Sequence, residues 1–126
     1  MVEQQNNEYR VIIAGGRDFS DYLLLREKCD FFLGSKRLTH QITVISGAAK
    51  GADSLGERYA REREFGVQQF KAHWKEHGKA AGIIRNGEMA EVADALIAFW
   101  DGESRGTANM IETARKQGLK VKIVNY

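Results

Sequence analysis

The chain has no proline, and only one of its 126 residues, Cys29, is a cysteine. A lone cysteine excludes an intramolecular disulfide and a cysteine-cluster zinc site, and it suits a reducing cytoplasm, the expected location. No stretch approaches the roughly 20 consecutive apolar residues needed to cross a bilayer, so no membrane association is expected. Nor does the N-terminus read as a signal peptide. Met1–Glu8 is mostly polar, and the apolar run Val11–Ala14 is too short for a signal core. Concentrated charge is also lacking. Lys and Arg number 19 against 17 Asp and Glu, a net charge of +2, and the bases are spread along the chain. Nucleic-acid binders usually carry a clustered basic patch, so the linear sequence argues against DNA or RNA as a partner. There is no internal repeat and no low-complexity tract. With 43% hydrophobic and 29% charged residues, one soluble globular domain is expected over residues 8–126, behind a frayed tail at 1–7.

Strand-like and helix-like segments then alternate. Tyr9–Ala14 is a short β-branched run that ends in Gly15-Gly16. Tyr22, Leu25, Cys29, Phe32 and Leu33 recur at helical spacing, with Ser20 or Asp21 as N-cap and Gly34 as stop. Ile42–Ile45 predicts a second strand, Ala52–Glu64 a helix closed by Gly66, and Val67–Phe70 a weak third strand. A loop carrying His73, Trp74 and His77 precedes a helix over Lys79–Glu91. Ala95–Trp100 is the fourth strand, Thr107–Gln117 the last helix and Leu119–Val124 the fifth strand. Near-continuous apolar strands separated by helices call for a parallel sheet covered on both faces. Right-handed crossovers make the fold class α/β, a single Rossmann-like domain with a five-stranded parallel sheet in order 3-2-1-4-5.

In such a sheet, ligands sit outside the carboxyl ends of the strands, near the switch point between strands one and four. The glycine-rich turns of this sequence converge there: Gly15-Gly16-Arg17 after strand one, Ser46-Gly47 after strand two, and Ser104-Arg105-Gly106-Thr107 before the last helix. Glycine lets backbone N–H groups approach an oxyanion, and a helix N-terminus adds about half a positive charge with unpaired donors. With Arg17 and Arg85, these turns suit a phosphate. The same glycines also serve simply as tight turns, and Thr107 as a helix cap, in many α/β proteins.

Cys29 falls on an apolar helix face and reads as core, and His40 as a solvated loop residue. His73 and His77 stand at i, i+4 without an evident third ligand, so no metal is expected. Trp74 suits either stacking on a base or plugging the sheet edge. Asp53, near a helix start, suits either a ligand contact or dipole compensation.

The segments GGRDFSD (15–21), SGAAKGADSLGERYA (46–60), WKEHGKAAGIIRNGEM (74–89) and DALIAFWDGESRGTANMI (94–111) resemble the YspA- and cpYpsA-related family of the SLOG superfamily. The resemblance runs in order from about residue 10 to the C-terminus. It implies a Rossmann-like fold, occurrence in bacteria or phages, and binding of nucleotides or nucleotide-derived signals such as an ADP-ribose-like molecule. On that basis Gly15, Gly16, Arg17, Ser46, Gly47, Arg85, Asn86, Ser104, Arg105, Gly106 and Thr107 line the ligand, no cofactor is needed, and a homo-oligomer is allowed. The related LOG phosphoribohydrolases cleave the N-glycosidic bond of nucleoside monophosphates. Their RKxxM motif is similar to Arg85–Met89, with Asn86 in place of lysine. Their PGGxGTxxE motif is similar to the stretch from Gly102, without PGG and with Ala108, Asn109 and Met110 where the catalytic glutamate should follow. A hydrolase would need another acid, from Glu88, Asp53, Asp101 or Glu112; no catalytic residue is assigned, and Glu88 and Arg85 are the candidates. A further alternative is a DNA-binding module, as in the DprA/Smf branch.

Overall fold

A computed structural model describes residues 7–126. Most of the expected tail lies outside these residues. Its last member, Asn7, accepts the Gln41 N–H through its carbonyl at 2.8 Å. The elements follow in the order β1 (Glu8–Gly15), α1 (Tyr22–Leu33), α2 (Lys36–Thr39), β2 (Gln41–Ser46), α3 (Ala52–Glu62) and β3 (Gly66–Gln69), then α4 (Trp74–His77), a 3₁₀ turn (Gly78–Ala80), α5 (Ala81–Val92), β4 (Ala95–Trp100), α6 (Arg105–Lys116) and β5 (Lys120–Asn125). All strand pairs are parallel, and the sheet order is β3-β2-β1-β4-β5, the doubly wound order expected.

The inner stretches of the central strands, Val11–Ala14, Val44–Ile45 and Ala95–Phe99, are apolar because both faces of the sheet are covered there. Successive side chains of a strand point to opposite faces. Val11 and Ile13 therefore join Leu25 and Cys29 of α1 and Tyr59 of α3 in one core. Ile12 and Ala14 join Met89 of α5 and Met110 of α6 in the other. Each fully buried aliphatic side chain contributes roughly 1.5–3 kcal/mol relative to exposure. Cys29 is buried and unpaired, and desolvation pushes its thiol well above the usual range. Gly56 lets α3 ride close on β1: a Cβ there would sit 2.8 Å from a methyl of Ile13.

Several boundaries differ from the sequence expectation, each for a local reason. Asp21 rather than Ser20 caps α1, its carboxylate accepting the Leu24 N–H at 3.1 Å. Gly34 stays in right-handed backbone, and the chain runs on into the short α2, which shows no periodicity in sequence. The segment around Trp74, expected as a loop, contains α4 and the 3₁₀ turn, so the following helix starts at Ala81. α6 begins at Arg105, because Ser104, not Thr107, is its cap. The Leu119–Val124 strand is shifted by one residue, and β3 starts at Gly66. Phe70, expected as the last residue of β3, still donates its N–H to the Ser46 carbonyl at 2.7 Å. Among the described residues, no helix is long and apolar enough to cross a membrane.

Candidate functional site

Parallel strands point their carboxyl ends at one rim, and the chain leaves the sheet there after each of β1 to β4. At the switch point between β1 and β4, the segments after β1, β2 and β4, with α5 and the start of α6, enclose a crevice of about 390 Å³. The volume falls within the range of small-molecule sites. Gly15, Gly16 and Arg17 line it from the β1 loop, Arg85 and Asn86 from α5, and Ser104, Gly106 and Thr107 from α6. Met89 and Met110 add an apolar surface, and Asp18, Ala49 and Asp53 line it as well.

The donors are not arranged as the glycine pattern suggested. The Gly16 N–H donates to the Phe99 carbonyl at 3.1 Å, so this glycine offers space rather than a free donor. The β2 loop turns its N–H groups inward: Ala48 N–H reaches the Ser46 hydroxyl at 3.0 Å, and Ala49 N–H reaches Asp53 at 3.3 Å. Ser46 is fully buried and donates to Glu57, so it shapes the loop from below and does not line the crevice. Gly47 faces an adjoining cavity and offers its carbonyl to Arg85 at 2.7 Å. The anion-binding character concentrates instead at the start of α6. Ser104 caps it by accepting the Thr107 N–H at 3.4 Å, which leaves the N–H groups of Arg105 and Gly106 at the helix end, where no intrahelical acceptor exists. Asp101 builds the approach by accepting the N–H groups of Glu103 and Ser104 at 2.9 and 2.8 Å. Those two bonds hold its carboxyl below the usual range.

Arg85 spans the middle of the rim. Its Nε donates to Asn86 Oδ1 at 3.1 Å, and Asn86 in turn donates to Asn109 at 2.9 Å. Asn86 is thus a buried strut between α5 and α6, and it orients the arginine. Burial lowers the Arg85 pKa, Asp53 opposes that effect, and the nearby Arg17 adds to it. Asp53 is 5% exposed, and desolvation raises its carboxyl from 3.8 to about 6 against the opposing Ala49 N–H, Arg85 and Arg17. Of the four acids weighed from the sequence, only Asp53 lines the crevice. At about 100° per residue, Arg85, Met89 and Asn86 cover one arc of α5, and Glu88 falls about 60° outside it. Glu88 is exposed and absent from the crevice wall, so of the two catalytic candidates only Arg85 lines the crevice. Glu112 lies in the third turn of α6 beside Lys116, and Asp101 is occupied in its loop.

Arg105 is exposed and lines a neighbouring cavity with Trp74. Trp74 overhangs that rim at 51% exposure, which rules out the plug at the sheet edge. Asp18 was missed in the sequence; it accepts the Tyr126 hydroxyl at 2.8 Å, and burial together with Asp18 pushes that hydroxyl up to about 12. No group of three or more metal-ligating side chains occurs among the described residues, and His73 and His77 stand without a third partner.

Comparison with known proteins agrees with this fold. A model of the YspA, cpYpsA-related SLOG family matches residues 9–77. The Gene 61 protein of Mycobacterium phage D29 is 36% identical over 118 residues, covering 89% of this chain and 93% of that protein. Among solved structures, DNA processing protein A of Streptococcus pneumoniae superposes with a TM-score of 0.72 at 16% identity. The match covers 95% of this chain and 51% of that protein, so the chain spans about half its length. The structural-genomics target TM1055 superposes with a TM-score of 0.62 at 22% identity, over 91% of this chain and 72% of its own. At these identities the two structures speak for the fold alone.

Proposed function

We propose that this chain, which belongs to the YspA, cpYpsA-related SLOG family, binds a nucleotide-type phosphate ligand in the crevice at the carboxyl ends of β1 and β4. The observation that carries the reading is that one crevice presents two chemistries together. The open end of α6, Arg17 and Arg85 suit phosphate oxygens through charge-assisted hydrogen bonds. The carboxyls of Asp53 and Asp18 line the same space, with the apolar Met89 and Met110, and suit sugar hydroxyls as acceptors. A phosphorylated sugar carries both groups on one small molecule.

A thermal-shift panel of nucleoside mono-, di- and triphosphates, cyclic nucleotides and ADP-ribose tests this. A ligand present at about 100 times its Kd adds about 2.7 kcal/mol, a melting shift of several degrees. No shift from any member at millimolar concentration overturns the reading. One observation favours a second reading, hydrolysis of an N-glycosidic bond: Asp53 lines the crevice as a buried carboxyl that desolvation pushes up to about 6, toward the range of a general acid or base. Release of free base from AMP, abolished by Asp53→Asn, would make the protein an enzyme. Binding without release leaves a binding or sensing module.

A further inference from the structure

Beyond the crevice, two more cavities of about 520 and 250 Å³ open on the same rim. All three share Arg17 and Arg85 in their walls, so the two guanidinium groups stand at the junction of one branched space. The branches differ in charge. The inner crevice includes two carboxylates. The outer cavities have none, and they add Lys50 and Lys71 on one side and Lys79 and Arg105 on the other. Both outer cavities are bounded by Trp74. The far edge of its ring reaches over Gly82, where even an added Cβ would lie 3.6 Å from the indole, and the ring stays half exposed.

A single phosphate is satisfied by one or two guanidinium groups and a helix end. Four further cations around an exposed indole, outside that first set, have nothing to neutralise in a mononucleotide held by the crevice. An exposed tryptophan flanked by cations is a surface for the π-face of a base whose backbone carries phosphate. We infer that the outer cavities form a second subsite in which Trp74 stacks on a second base, so that the ligand consists of two nucleosides joined through phosphates. The bridge crosses Arg17 and Arg85, the first nucleoside lies inside by Asp53, and the second lies on Trp74. This inference rests on the nucleotide-binding reading of the crevice.

Titration of the full chain with AMP and with diadenosine diphosphate, read by calorimetry and by quenching of tryptophan fluorescence, tests it. Diadenosine diphosphate should bind at least tenfold more tightly than AMP to the unaltered protein. Trp74→Ala should remove about tenfold or more of that affinity while leaving AMP unchanged, and Trp74→Phe should keep most of it. The indole's exposure protects the fold from either change, and an unshifted melting temperature without ligand verifies that. Equal affinity for the two ligands overturns the outer subsite. So does a Trp74→Ala loss shared equally by AMP, or no loss for either ligand. In each of these cases AMP still binds, and the nucleotide reading stands. If neither ligand binds the unaltered protein, that reading and this inference fall together.

Discussion

Asp53→Asn should stabilise the protein at neutral pH, although it removes a group from the candidate site. The carboxyl is raised from 3.8 to about 6, chiefly by desolvation, so the folded protein holds a proton there that the unfolded chain has released. A folded-state pKa above the unfolded value gives stability that is complete below about pH 4 and is lost as pH rises to about 6. At 1.36 kcal/mol per pH unit, the full loss above pH 7 is about 3 kcal/mol. The side chain is almost completely buried, so solvent screening removes little of this. Asparagine resembles the protonated acid in shape and still accepts the Ala49 N–H, but it ends the attraction to Arg85. A gain of about 1–3 kcal/mol at pH 7.5 is expected. Urea denaturation of both proteins at pH 4, 5, 6 and 7.5 should show the difference growing from near zero through that range. A variant equally or less stable at pH 7.5, or a difference that does not change with pH, would refute the account of Asp53 as a charge held against its solvation.

Arg85→Ala should weaken nucleotide binding by about ten- to a hundredfold and also lower the melting temperature without ligand, because Arg85 is tied to Gly47 and Asn86. Arg105→Ala, at an exposed position in the outer cavity, should weaken binding of diadenosine diphosphate while leaving AMP affinity and the ligand-free melting temperature unchanged. Glu88→Gln should leave nucleotide affinity and any base release unchanged, since the side chain lies off the crevice; a clear loss would return Glu88 to the site. Gly51→Ala should cost about 2–4 kcal/mol in denaturant unfolding. Its φ is +78°, and a Cβ would run into the Gly16 carbonyl oxygen and approach the Arg17 backbone to 2.6 Å.

The sheet order was legible because short apolar strand segments alternate with helical ones along the whole chain. That alternation requires parallel strands joined by right-handed crossovers, which leaves few possible orders. Arg17, Arg85, Gly106 and Thr107 could be placed on one rim for the same reason. What stayed hidden depends on partners distant in the chain. The phase of α5 is blurred by Ile83 and Ile84, which are apolar yet exposed, so its inward arc cannot be read from hydrophobicity. The stripe of Asn86, Met89 and Ala90 marks it, and only one of those is a large apolar residue. Asp53 looks like any acid in a first helical turn until α5 covers it. The Gly16 N–H looks free until the Phe99 carbonyl arrives from a strand more than eighty residues away.

The sheet's two outer strands carry a consequence for self-association. Among the described residues β3 pairs with β2 alone and β5 with β4 alone, so each leaves a row of backbone groups available for strand addition. Both rows are guarded. β3 stops after four exposed residues ending in Gln68 and Gln69, and β5 alternates Lys120 and Lys122, both exposed, with its apolar residues. Short length and edge lysines are the usual means of preventing one sheet from templating another. Copies of this chain are therefore poorly suited to joining edge to edge or seeding fibrils.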